Sequence, residues 1–224
     1  MMLGAVVAAG VLFDRPGLPP ISKPPKTPGK PSPKPPKEGD LISYYIDAGT
    51  GMIVVKTGES PDVAWGSPLL KPEKFPLFQE MTNHWQTLVD DASLEYRVPS
   101  KDIFAIMWSE SNGNPNVTSK AGAKGLMQVM PFHFPTGTTE AQMLDPRNNI
   151  RTGARILASR RAGGSRDLIQ VASLYNAGGN ADGTPFTNEQ RPKIATRWGY
   201  AAEPGYIDSV VAAYNTAVKL GIVA

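Results

Sequence analysis

Ten of the chain's 22 prolines fall between Pro16 and Pro36, where they alternate with lysine. Each proline fixes its φ and removes an amide donor. The cations Arg15, Lys23, Lys26, Lys30, Lys34 and Lys37, with no acid among them, repel one another. Residues 15–40 therefore read as an extended polyproline-type linker that cannot join a packed core. Folding has to happen beyond it, and the 224-residue chain leaves room there for one sizeable core plus a small accessory piece. Those six cations also exceed the net charge of +3, so the remainder is mildly acidic. The folded part offers no basic face, and nucleic acid is not an expected partner.

Ahead of the linker, Met1 to Phe13 is an unbroken apolar run. It is shorter than the roughly 20 residues of a bilayer-spanning helix. No lysine or arginine precedes it, as a secretory signal would require. Residues 1–14 are expected to rest on a membrane surface or to dock on a partner protein. The absence of cysteine excludes disulfides, thiolate nucleophiles and thiolate metal ligands. His84 and His133 stand in no HExxH-like pattern, which argues against zinc hydrolysis and against a Ser-His-Asp triad. Neither a metal nor a cofactor is expected.

Past the linker, SYYIDAGTGMIVVKT places two β-branched or aromatic runs around a glycine-containing loop, Asp47 to Gly51, the pattern of a β-hairpin. Two strands alone are marginal. Residues 41–70 are therefore expected to pack, as an accessory segment, on a domain formed by residues 71–224. From Pro76 the period becomes helical: Phe78, Met81, Trp85, Leu88, Val89, Ala92 and Tyr96 form one stripe. Pro99 closes that helix, and Ser100 is the expected N-cap of the next. Ile150, Gly153, Ala154 and Leu157 mark another helix ahead of Gly163-Gly164. Leu168, Val171, Ala172 and Tyr175 mark a fourth. The last runs from near Gly205 to Leu220, with Gly221 as terminator. The fold class is mainly α.

Within IFAIMWSESNGNP, Ile103, Ile106, Met107 and Glu110 line up on one helical face, so a carboxylate ends an apolar stripe. Asn112-Gly113 predicts a helix stop just beyond it. Desolvation and the negative end of the helix dipole both favour the protonated acid, the state that a general acid needs.

Further motifs follow in order: NPNVTSKAGAKGLMQVMP, LDPRNNIRTGARIL, SLYNAGG and EPGYIDSVV. From about Phe75 onward, their order and spacing resemble the soluble lytic transglycosylase family, which has a goose-lysozyme-like fold. The resemblance implies that Glu110 is the catalytic acid/base. It implies that Ser119 lies near a substrate N-acetyl group and that Gln128 and Met130 line a glycan groove. Tyr175 and Asn176 would hold the sugar opposite the acid, and Tyr206 would approach the catalytic carboxyl. Glu203-Pro204-Gly205-Tyr206-Ile207 departs from the family's usual Glu-Thr-x-x-Tyr-Val by one residue and by the threonine, which leaves Glu203 without an assigned role. Taken from the residues alone, Tyr175 and Tyr206 suit core tyrosines on apolar stripes. Gln128 and Asn176 suit groups that cap backbone, and Ser119 suits a cap.

The implied reaction is the non-hydrolytic cleavage of peptidoglycan glycan strands at the bond from N-acetylmuramic acid to N-acetylglucosamine, leaving 1,6-anhydro ends. The implied place is the extracytoplasmic face of the cell envelope, or a virion. Residues 1–14 would then meet a membrane or an envelope or virion protein. Two alternatives stand beside it: a hydrolytic muramidase of the same fold, and a non-catalytic wall-binding component of a secretion apparatus or virion.

Overall fold

The computed structural model describes residues 42–57, 64–162 and 166–222. The apolar N-terminal segment, the proline-lysine linker and the Gly163-Gly164 stop lie outside the described residues. Three short strands precede six α-helices: β1 Tyr44–Ile46, β2 Ile53–Thr57, β3 Ala64–Gly66, α1 Phe75–Tyr96, α2 Ser100–Ser111, α3 Glu140–Leu144, α4 Pro146–Arg161, α5 Leu168–Ala177 and α6 Tyr206–Lys219.

The expected hairpin forms, with Tyr44 opposite Val55 and Ile46 opposite Ile53. Its turn is held by Asp47, whose Oδ1 accepts from both the amide and the hydroxyl of Thr50 at 2.7 Å. The structure adds β3, paired antiparallel to β2. Three residues are too few to carry an alternating pattern, which is why this strand had no sequence signal.

The sheet is welded to the helices. Ile53 and Val55 enter the core. The wholly buried carboxamide of Asn215 on α6 accepts from the Ile53 amide at 2.7 Å, and donates to the Ile53 carbonyl at 2.8 Å and to the Pro68 carbonyl at 2.9 Å. Tyr44 on β1 donates to Asp167, the N-cap of α5, at 2.7 Å.

Helix α2 is apolar nearly all round, with Ile103 through Trp108 buried, as befits a helix at the centre of a bundle. Trp108 is a packing residue, set edge-on to Phe78 of α1. The start of α2 corrects one expectation. Pro99 is the N-cap and Ser100 is the first helical residue. Ser100 is buried and donates its hydroxyl to Asp90 of α1 at 2.9 Å, so it ties two helices together and does not cap one. Helices α4 and α5 are capped by Asp145 and Asp167, and α4 opens on Pro146, a residue suited to a first helical position.

The three hydrogen bonds of Asn215 predict the effect of removing it. Asn215→Ala leaves buried backbone donors and acceptors unpaired and should cost about 3 kcal/mol in urea denaturation. A loss within the error of the fit would mean that the sheet does not depend on this clamp.

Candidate active site

Glu110 lies in the last turn of α2, which stops because Asn112 and Gly113 turn left-handed, with φ of 51° and 77°. The indole of Trp85 on α1 donates to the Gly113 carbonyl at 3.1 Å and fixes this end. Beneath the carboxylate, Ile103, Ile106 and Met107 are wholly buried, as their spacing predicts. Glu110 itself is half-buried. Burial pushes its carboxyl up to about 8, against the weaker opposing pull of a hydrogen bond from Tyr206. That phenol, at the first residue of α6, donates to Glu110 Oε1 at 2.7 Å. Burial first, and then the charge of Glu110, raise the phenols of both Tyr206 and Tyr175, so each stays a neutral hydroxyl. Among the described residues, no second carboxylate acts on Glu110 electrostatically. The site is one acid, protonated near neutrality and flanked by two tyrosines.

The loop from Val117 to Met130 is built against this acid from several sides. Ser111, next to Glu110, donates to the Leu126 carbonyl at 2.7 Å. Tyr175 on α5 donates to the Met127 carbonyl at 2.8 Å. The wholly buried carboxamide of Asn149 on α4 accepts from the Met127 amide at 2.8 Å, and donates to Lys124 at 2.8 Å and Met143 at 2.9 Å. Two glycines admit this packing. A Cβ on Gly125, whose φ is 71°, would meet the Asn149 carboxamide at 2.6 Å, and one on Gly153 would meet the Met127 sulfur at 2.3 Å. Gln128 adopts φ 45°, uncommon for a side-chain-bearing residue, while its amide donates to Gly125 at 2.9 Å and Val117 at 3.2 Å.

The residues singled out in the sequence separate into groups. Glu110, Tyr206 and Tyr175 come together. Gln128 is buried and braces the adjoining loop, with half-buried Met130 after it. Ser119 accepts from the Ala123 amide at 3.0 Å and closes its own turn. Asn176 is buried and accepts from the Glu203 amide at 2.8 Å, while its Nδ2 has no hydrogen-bond partner. Glu203 thus enters this network through its backbone. Ser111 and Asn149 had escaped the sequence reading. Their partners include backbone groups 15, 22 and 25 residues away, at Leu126, Met127 and Lys124, which no local spacing announces.

The family model "Transglycosylase SLT domain" matches residues 87–197, a stretch that holds Glu110, Ser119, Gln128, Met130, Tyr175 and Asn176. The chain carries an SLT-family, lysozyme-like domain. Tyr206 lies past the matched stretch, and its place beside the acid comes from the geometry. A transglycosylase of Enterobacteria phage PRD1 is 39% identical over 33% of this chain and 27% of its own length. The soluble lytic murein transglycosylase of Escherichia coli K12 is 36% identical over 36% of this chain and 14% of its own. The chain therefore spans about a quarter or less of these relatives. A 70-kDa soluble lytic transglycosylase, solved in complex with bulgecin A, superposes with a TM-score of 0.51 at 24% identity, over 65% of this chain and 26% of that one. That likeness is one of fold.

The raised carboxyl has a consequence for stability. An acid whose folded value exceeds its unfolded one stabilises the fold below the unfolded value, and that contribution is lost as pH rises through the folded value. Here the window runs from the ordinary 4.5 to about 8. Glu110→Gln keeps the shape and never carries the charge. Its Tm should exceed the parent's by a margin that widens from pH 5 to pH 8.5. A margin that stays constant would contradict burial of the charge.

Proposed function

We propose that this chain is a peptidoglycan lytic transglycosylase acting through Glu110 alone. The observation that carries the reading is the lone carboxyl held protonated near neutrality beside Tyr206. Most glycosidases use two carboxylates, the second as nucleophile or as base for a water, and substrate-assisted enzymes are the exception. A raised acid on which no second described carboxylate acts suits the exception.

In this mechanism Glu110 gives its proton to the oxygen bridging N-acetylmuramic acid and N-acetylglucosamine. As that bond breaks, the muramyl N-acetyl carbonyl stabilises the positive C1. The carboxylate left behind keeps the Tyr206 hydrogen bond on Oε1, which leaves the other oxygen free to work as a base. It removes the proton of the same sugar's C6 hydroxyl, whose oxygen closes on C1. The product is a 1,6-anhydro end, the acid is restored, and no water is consumed.

Gln128 and Met130 are assigned to the groove wall, Ser119 to the vicinity of the N-acetyl group, and Tyr175 and Asn176 to holding the sugar. The rigid bracing of the Val117–Met130 loop supports the first of these, and the nearness of Tyr175 to Glu110 supports the last. Residues 71–224 form the catalytic unit, with the sheet segment as its accessory and residues 1–40 as anchor and tether. The setting is the extracytoplasmic face of the cell envelope, or a virion, for local opening of the wall.

Mass spectrometry of fragments released from purified sacculi tests the reading. The parent should yield ends lighter by one water than hydrolysis gives, and Glu110→Gln should release none while remaining folded. Ends of hydrolytic mass would favour a muramidase. An active Glu110→Gln would remove Glu110 as the acid.

A further inference from the structure

Tyr206 reaches the Glu110 carboxyl from the first residue of α6, and Gly205 before it, left-handed at φ 78°, offers no side chain to cap the helix. The first turn of a helix has amides without intrahelical partners and frays unless something else holds it. A phenol carried on such a turn keeps its aim on one carboxylate oxygen only if the turn is fixed from outside.

Asp208, in the same first turn, is where it is fixed. Its Oδ1 accepts from the Trp198 indole at 3.0 Å, and from Arg197 Nε and Nη2 at 3.0 and 2.7 Å. The two donors differ in weight. Arg197 and Asp208 are both nearly half exposed, where an ion pair contributes little. Trp198 is only 4% exposed, and a buried indole N–H that loses its acceptor carries the full cost of desolvation.

The accessory segment in turn seats Trp198. Just ahead of β1, the Ile42 amide donates to the Arg197 carbonyl at 2.9 Å. On β1, the Tyr44 ring stands edge-on to the Trp198 indole with 5.6 Å between centroids, and its hydroxyl is tied to Asp167 at the start of α5. An unbroken series of contacts therefore runs from β1 through Trp198 and Asp208 to the first turn of α6 and the phenol on the acid.

We propose that Trp198, seated by β1, is a positioning residue that holds Tyr206 on Glu110 through Asp208, which makes the accessory strand part of the active-site machinery. The inference rests on the reading of Glu110 as the acid. Tyr206 donates to the charged carboxylate and so favours it, and loosening that bond lets Glu110 keep its proton to higher pH. Tyr175 also faces Glu110, and Arg160 acts on Tyr175; both are left intact in the variants below.

Carbon-13 NMR of the glutamate-δ-labelled full chain reads the Glu110 midpoint without substrate. Trp198→Phe keeps a ring against Tyr44 and removes the indole donor. It should raise the midpoint by about half a pH unit, and Tyr206→Phe, which removes the bond outright, by about one pH unit or more. Added to Tyr206→Phe, Trp198→Phe should change the midpoint no further, because no phenol is left to aim. On soluble glycan strands, the alkaline limb of kcat/KM should move up with the midpoint in Trp198→Phe while the plateau kcat falls. Asp208→Asn and Asp208→Ala, at an exposed position, spare the core and lose the same charge. Only the asparagine keeps an acceptor for the indole, so the alanine variant should titrate at the higher pH. An unchanged midpoint in folded Trp198→Phe, the same rise with and without the Tyr206 phenol, or equal midpoints in the two Asp208 variants would overturn the proposal. If Trp198→Phe does not fold, the Asp208 pair decides. A parent that cleaves no glycan would count against the Glu110 reading and leave the titration decisive for Trp198.

Discussion

The Glu110 carboxyl is buried where α2 ends against the start of α6, and the site is organised around keeping it there. Two bonds span these helices, from Tyr206 to Glu110 at 2.7 Å and from Ser109 to Ser209 at 2.9 Å. The apolar face of Ile103, Ile106 and Met107 withdraws water from beneath the acid, while Tyr206 supplies one hydrogen bond to its charged form. Desolvation is the larger effect, so the acid is held protonated, and the tyrosine keeps the carboxylate within reach once the proton has gone.

The neighbouring elements follow from that placement. A loop with a left-handed Gln128 must be held by more than its own turns, and Ser111, Tyr175 and Asn149 hold it from α2, α5 and α4. Gly125 and Gly153 are where the chain makes room for that bracing. The sheet, fixed through Asn215, covers the face of α6 away from the acid's hydrogen bond and makes the accessory strands part of the same core. Strain and buried polar bonding thus concentrate around one carboxyl, as expected where preorganisation serves chemistry.

What was legible in the sequence was whatever repeats locally. The stripe from Phe78 to Tyr96, the face ending at Glu110 and the hairpin around Asp47 each have a period or a turn signature, and each stands in the structure. The pairing of β3, the true role of Ser100 and the carboxamide clamps of Asn149 and Asn215 depend on partners far along the chain, and a single polar residue in a helix does not say which distant backbone it satisfies. The order of the motifs placed Tyr206 near the acid. Only the fold gives it a hydrogen bond there, and it lies beyond the stretch that the family model matches. Segments such as Asn180 to Tyr200 look irregular in sequence because they have no period, yet reciprocal bonds between Asn188 and Thr196 and between Asn180 and Gln190 hold them in place.

The central claim is that a single glutamic acid remains protonated near neutral pH because the fold desolvates it. Carbon-13 NMR of glutamate-δ-labelled protein, with Glu110→Gln used to assign the Glu110 signal, measures that protonation without any substrate. The account predicts a carboxyl signal that titrates with a midpoint near the value of about 8 set by burial. A midpoint near the ordinary 4.5 would leave Glu110 ionised at neutral pH and would contradict the account.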